Sequence, residues 1–406
     1  MSDNQIDPVS SNSEHSSASQ MVRADNLSIA NTHSTSINAK PTLKVAINGF
    51  GRIGRNVVRA LIERFEILDK SLQIVAINDV ADSETLLHLL KFDSAHGRLS
   101  KLGVQAQIVQ MKKEVSQQNT AVQPNEVLRL SKVDKYYDIQ MLHIRQPEQL
   151  PWQLLDIDVV LECTGHFRSY QDAKRHLKAG AKQVIIGAAP FDHVDACIVM
   201  GVNDELLTRR LPIISSVSCT TQALVPLIDV LDKAFGIDSV MMTEIHAVTA
   251  DQTVLDQAHR DLRRARASGH NIIPTTSSSI AATERVLPQM QGRINGHSIR
   301  VPTIDVAAID VTFVFQKQVT LAQLEQTLKQ SCEDKKGRLA GIMDYTDEPL
   351  VSSDFIHQPQ SLIIDGQQLM QVGNQFKVFA WYDNEWGYAN RLLDMCLFLS
   401  EINAQD

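Results

Sequence analysis

The stretch Leu43–Glu63 reads LKVAINGFGRIGRNVVRALIE. Val45 to Ile47 is a short buried-strand pattern, and Gly49, Gly51 and Gly54 follow in GxGxxG spacing. Ile53, Val57, Val58, Leu61 and Ile62 then recur with helical period. Strand, tight turn and helix are the context in which such glycines let backbone approach a pyrophosphate at a helix N-terminus. The turn residues Gly49, Phe50, Gly51, Arg52, Ile53 and Gly54 are therefore candidate dinucleotide-binding positions. A second strand, LQIVAIND, ends at Asp79, where such folds place an acid that accepts from the adenosine ribose. A carboxylate there repels a 2′-phosphate, which favours NAD over NADP. An αβ unit with a glycine-rich turn and no ligand is the plain alternative. Further strands, Asp158–Glu162 and Gln183–Ile186, end in small residues, as a nucleotide lying across strand ends requires.

The chain has 406 residues, of which 43% are hydrophobic and only 5% aromatic, so its core is expected to be mainly aliphatic. The formal net charge is −8 and the sequence pI about 5.9, which gives no general attraction to nucleic acid. Five cysteines (Cys163, Cys197, Cys219, Cys332 and Cys396) lie far apart without a CxxC pair, and HExxH is absent. That points to free thiols in a reducing cytoplasm, with no zinc site or other metal centre. No stretch is long and apolar enough to span a membrane. Residues 1–41 are polar and low in complexity, as in SSNSEHSSASQ, and read as a disordered tail.

A second stretch raises a chemical question. In SSVSCTTQALVPL (Ser215–Leu227) a cysteine sits among hydroxyl residues just before an apolar helical pattern. A helix N-terminus lowers a thiol's pKa, and hydroxyls can bind an anion beside it. The same arrangement also serves as a buried capping turn. Leu224, Leu227, Ile228 and Leu231 form the apolar stripe of the helix, and Gly236 stops it.

INGFGRIGR (47–55), KFDSAHG (91–97), ECTG (162–165), SCTT (218–221), HAVTADQ (246–252), DLRRARA (261–267), NIIPTT (271–276), RVPT (300–303) and WYDNEWGYANR (381–391) follow in one order. With these motifs the chain resembles the glyceraldehyde-3-phosphate dehydrogenase family, which includes the close relative erythrose-4-phosphate dehydrogenase. The resemblance runs from about residue 42 almost to the C-terminus. It implies an α/β fold: a Rossmann-type NAD-binding domain (42–218), an α+β catalytic domain with a mixed or antiparallel sheet (219–381), and a C-terminal segment and helix (382–406) returning to the first domain. It also implies a homotetramer, in which an extended loop from roughly residue 249 to 274 packs on a neighbouring subunit.

By that resemblance Cys219 is the nucleophile that adds to an aldehyde, and His246 is the base. Thr249 and Arg300 belong to the site for the substrate's own phosphate. Ser218, Thr220 and Ser277 surround an attacking inorganic phosphate, with Ser278 beside them and Arg266 as a shared anchor. Asn384 resembles the residue that orients the nicotinamide carboxamide, and Thr164 and Gly165 look like part of the adenine–ribose rim. The partner implied is a small phosphorylated aldehyde.

Departures from the family pattern bear on the reaction. SCTTQA has Gln222 and Ala223 where SCTTNC is usual, and Gly187 sits where a serine is common. TTSSSIAATE (275–284) replaces the usual TTTGAAKA, so Ser278 takes the place of a glycine. If φ there is positive, a phosphate-contacting amide is lost. Gln257 and Ala258 stand where strictly NAD-dependent members often have Leu-Pro, so NADP use stays open. Phosphorylating oxidation of glyceraldehyde 3-phosphate is the first reading, and hydrolytic oxidation of erythrose 4-phosphate the second. A non-catalytic NAD-binding protein and a dehydrogenase of unphosphorylated aldehydes are the rivals from other classes.

Overall fold

In β1 (Leu43–Asn48) nearly every side chain is buried, because the strand lies between parallel neighbours and is covered on both faces. The computed structural model describes residues 42–64, 71–111, 126–132, 135–208 and 210–402. The polar tail expected at 1–41 lies outside them, as do residues 403–406.

The remaining strands are β2 (Leu72–Asn78), β3 (Phe92–Asp93), β4 (Gly97–Arg98), β5 (Gln105–Gln110), β6 (Glu126–Lys132), β7 (Lys135–Leu142), β8 (Val159–Glu162), β9 (Gln183–Ile186), β10 (Ala196–Cys197), β11 (Ile213–Ser215), β12 (Ile237–Ala247), β13 (Ile273–Thr275), β14 (Ile294–Val301), β15 (Ala307–Phe315), β16 (Met343–Thr346), β17 (Leu362–Asp365), β18 (Met370–Val372) and β19 (Gln375–Tyr382). The helices are α1 (Arg52–Glu63), α2 (Ser83–Lys91), α3 (Tyr170–Lys178), α4 (Cys219–Phe235), α5 (Ser279–Val286), α6 (Leu321–Glu333) and α7 (Trp386–Ile402).

One sheet has the order β10-β11-β9-β8-β1-β2-β7-β6-β5. It is parallel from β10 through β7, and β6 and β5 add an antiparallel edge. The strand order reverses beside β1, so the glycine turn opens at a topological switch point. The second sheet has the order β13-β14-β12-β15-β19-β17-β16, with β18 paired to β19. It is mixed: β12 runs parallel to β14 and antiparallel to β15. The alternation in VAAIDVTFVF appears as β15, and the helix expected from Leu321 appears as α6, started by a Thr320–Gln323 capping box.

Two elements join the sheets. The residues of α4 from Thr220 to Asp229 are all buried, and its apolar side chains belong to the core of the second sheet. The C-terminal helix α7 puts Leu392, Leu393 and Cys396 into the core of the first sheet, with Leu397 packed at its margin. The chain thus returns to its starting sheet after completing the second.

The β1–α1 turn is the tightest part of the first sheet. Gly49 has φ +94° and its backbone faces Thr164, so a Cβ there would lie 2.6 Å from the Thr164 nitrogen. A Cβ on Gly54 would lie 2.2 Å from the Gly49 carbonyl oxygen, which is backbone and cannot swing away. Gly54→Ala is therefore expected to push α1 off the turn at a cost of about 1–3 kcal/mol. The check is a lowered midpoint in thermal or urea unfolding; an unchanged midpoint would count against this packing.

Candidate active site

The turn into α4 sets the thiol. Ser218 is the N-cap, and its Oγ accepts from the Thr221 backbone N–H at 3.1 Å, so Cys219 becomes the first helical residue. Just before it, Val217 has φ +49°, a costly backbone for a β-branched residue. That conformation is held from both sides. The Val217 N–H donates to Ser215 Oγ at 2.9 Å, and its carbonyl accepts from Tyr388 OH of α7 at 2.9 Å. Buried Gln222 donates from Nε2 to the carbonyls of Ser216 (3.0 Å) and Ile198 (2.9 Å). The unusual residue after SCTT therefore braces the loop leading to the thiol.

The imidazole comes from the other sheet. His246 lies near the end of β12, and its Nε2 is 3.5 Å from Cys219 Sγ. Its Nδ1 is 2.7 Å from the Ala247 carbonyl oxygen. Only an N–H makes that contact favourable, so Nδ1 carries the proton and Nε2 offers its lone pair to the thiol. Burial pushes the Cys219 thiol up to about 12, with the Glu244 charge adding to the rise and Arg300 opposing it. The expected lowering by the helix N-terminus is thus outweighed in the free protein. Burial, reinforced by Arg300, brings His246 down to about 4. The resting pair is a neutral thiol against a neutral imidazole.

Around the pair lie hydroxyls and one guanidinium. Ser218 Oγ is 2.7 Å from Thr221 Oγ1 and 3.1 Å from Ser279 Oγ. The Ser279 N–H donates to Ser277 Oγ at 3.2 Å, and the Ser277 hydroxyl donates to Glu244. Ser278 begins α5 with φ −78°, in the right-handed region, so replacing glycine by serine strains nothing there. Thr220 is buried and its Oγ1 is engaged with Tyr382 OH at 2.7 Å. Arg300 sits directly beside His246 in the β12–β14 register, and its Nη1 donates to the Ala247 carbonyl at 3.4 Å. Thr249 opens the turn that follows β12, with its carbonyl accepting from the Gln252 N–H.

Arg266 is not gathered with these residues. Its side chain is 63% exposed and faces Asp256 in the same loop. The guanidinium that reaches the Thr275–Thr276 segment is that of Arg264, which is 17% exposed and donates from Nε to Thr275 Oγ1 at 2.9 Å. The RR-x-R spacing alone does not say which arginine turns inward. Glu244 and Tyr382 were also missed. Glu244 precedes His246 by two positions on a strand and so shares its face, a period that was readable.

The glycine turn, Asp79 and Thr164 gather at the C-terminal ends of β1, β2 and β8. Asp79 Oδ2 accepts from the Phe50 N–H at 2.7 Å, which brings the acid to the glycine turn. Gly51 has no heavy atom within 4 Å of an added Cβ, so the turn is open on that side. Asn384 is buried, and its side-chain oxygen has no partner among the described residues. An open glycine backbone, an acid beside it and a buried amide lacking a partner fit NAD. Thr164 donates its N–H to Glu162 Oε1 at 2.8 Å, and Gly165 follows with φ +72°. The side chains of Arg52 and Phe50 have other duties: Arg52 pairs with Asp93 and Glu385, and Phe50 is buried in the core. Ile53 packs at the margin of that core.

Two family models match the chain. One describes the glyceraldehyde 3-phosphate dehydrogenase NAD binding domain and covers residues 43–170. The other describes the C-terminal domain of the same enzymes and covers residues 218–384.

Two outcomes follow from this geometry. Gly51→Ala fits the fold but fills the open cradle, so the unfolding midpoint should hold while NAD binding weakens by about tenfold or more; calorimetric titration with NAD checks this. His246, with its folded pKa near 4 against about 6.5 unfolded, stays neutral in the folded protein as the pH falls. Over that interval the unfolded state binds more protons, so this residue's contribution to stability is present above about 6.5 and is lost as the pH approaches 4. An imidazole NMR titration, assigned with His246→Asn, should place its midpoint well below 6.5.

Proposed function

From the chain's membership of the glyceraldehyde 3-phosphate dehydrogenase family, an NAD-dependent oxidoreductase of phosphorylated aldehydes, we propose that it oxidises glyceraldehyde 3-phosphate with inorganic phosphate as acyl acceptor. The observation that carries this reading is the 3.5 Å contact between Cys219 Sγ and His246 Nε2, beside Arg300 and a run of hydroxyls.

Cys219 Sγ attacks the aldehyde carbon while its proton passes to His246 Nε2. The imidazolium returns that proton to the new alkoxide, and a neutral thiohemiacetal stands on Cys219. NAD supplies the hydride acceptor. His246 Nε2 takes the hydroxyl proton as the carbonyl re-forms, which leaves a thioester on Cys219. An oxygen of inorganic phosphate then attacks the thioester carbon, and the thiolate leaves and is reprotonated by His246. Arg300 and Thr249 hold the substrate phosphate in this scheme. Ser218, Ser277 and the N-terminal turn of α4 hold the attacking phosphate.

The free state of all five cysteines supports action in a reducing cytoplasm. Among the described residues no helix is long and apolar enough to cross a membrane. Val254, Leu255, Leu262 and Ile272 stand exposed in the 249–274 loop, as a surface covered by a second copy of the chain would have them. We include a homotetramer in the proposal on that ground.

Purified full-length protein with NAD and glyceraldehyde 3-phosphate should form NADH in a phosphate-dependent manner, and Cys219→Ser should not. Turnover of erythrose 4-phosphate that ignores phosphate would replace this reading by the hydrolytic one. No NADH above the Cys219→Ser blank with either sugar phosphate would leave an NAD-binding protein without this activity.

A further inference from the structure

Glu244 is 3% exposed and projects from the same face of β12 as His246. Its Oε1 lies 3.8 Å from Arg300 Nη2 and 3.9 Å from His246 Nε2. Its Oε2 accepts the Ser277 hydroxyl proton. A buried carboxylate beside a nucleophile is costly unless paired and hydrogen-bonded, and here both conditions are met by residues assigned above to anions.

A serine hydroxyl has one proton to donate. Ser277 gives it to Glu244, and its oxygen already accepts from the Ser279 N–H at 3.2 Å. A phosphate seated on Ser277 must take that proton from Glu244 and then lie a few ångströms from its charge. The other guanidinium near this segment does not offset the repulsion, because Arg264 faces Asp251 and Asp261. The Glu244 charge also opposes ionisation of Cys219.

We propose that Glu244 is a specificity-determining residue for the acyl acceptor, an internal carboxylate that engages Ser277 and so weakens the binding of a dianionic acceptor there. A neutral acceptor such as water meets no such opposition, so Glu244 raises the phosphate concentration that the proposed reaction needs. The inference rests on the site assignment under Proposed function, because it takes Ser277 and Arg300 as anion-binding groups.

The test is calorimetric titration of the full chain, loaded with NAD, with inorganic phosphate. Glu244→Gln keeps the shape and an acceptor for Ser277 but removes the charge, and phosphate should bind at least about tenfold tighter. Glu244→Asp keeps the charge and should stay within about threefold of the parent, an outcome that a purely structural role would not give. Should the glutamine variant fail to fold, Glu244→Thr removes the charge with a residue suited to a strand. Equal phosphate affinity in the parent and a folded neutral variant would overturn the proposal. Because the readout is binding, it stands apart from turnover. Absence of NADH formation in the parent would sink the proposed reaction, while tighter phosphate binding in Glu244→Gln would still uphold the role of Glu244. In a parent that does turn over, the neutral variant should also favour phosphate over hydroxylamine as acceptor by a similar factor.

Discussion

A 3.5 Å contact between a sulfur at the start of one helix and a nitrogen at the end of a strand in another sheet sets the demands on the rest of the fold. Neither residue is near the other in the chain. The thiol is delivered by the turn after β11, and the imidazole by β12. What fixes their distance is α4, which follows β11 of the first sheet and is buried from Thr220 to Asp229, with its apolar side chains in the core of the second. A helix whose first turns are packed on all sides cannot slide without opening cavities, so the thiol at its first position is held to the precision of the core. The strained Val217 backbone belongs to the same constraint. It is tolerated because Ser215 and Tyr388 hold it, and Tyr388 lies on α7, which is itself anchored in the first sheet.

A second anchor is electrostatic. Arg52 at the start of α1 bridges Asp93 and Glu385, so one guanidinium ties the glycine turn to the segment after α2 and to the start of α7. Asp383 completes the junction by accepting from the Glu385 and Trp386 backbone N–H groups at 2.9 and 2.6 Å. Asn384 sits between these two acids. Its side chain is therefore presented from a backbone fixed on both sides, which suits the contact with a cofactor carboxamide that the resemblance implies. Buried ion pairs add little net stability, and positioning is the better account of their presence.

Much of this was legible in the residues. GxGxxG between a strand and a helical period specified the first αβ unit, and SCTT and HAVTADQ singled out Cys219 and His246, which the fold brings to 3.5 Å. The alternation in β15 and the apolar face of α7 were equally plain. What could not be read was direction. Arg264 and Arg266 are two positions apart in an irregular loop, where no periodicity says which side chain turns inward. The backbone at Ser278 could have been left-handed, as a glycine there suggests, yet it is the right-handed start of α5. The balance at Cys219 was also hidden. A helix N-terminus is a local feature of sequence, whereas the burial that outweighs it comes from residues far along the chain.

The neutral resting pair has a chemical logic. In a buried site a lone thiolate or a lone imidazolium is unfavourable, and the shifts at Cys219 and His246 both express that penalty. Moving one proton across their contact creates both charges together, where each stabilises the other. In the proposed reaction the ionised pair is then favoured when an aldehyde carbon is in place to receive the sulfur's electrons, and the alkoxide is in place to take the proton back. Glu244 and Arg300 lie on either side of this balance. The carboxylate favours a proton on His246, and the guanidinium favours its removal from Cys219. Their own pairing across 3.8 Å keeps either from dominating. In the proposed reaction an incoming phosphate that draws Ser277 away from Glu244 would disturb that balance at the acyl-enzyme, the stage at which the thiol is already in covalent linkage and no longer needs protection from ionisation.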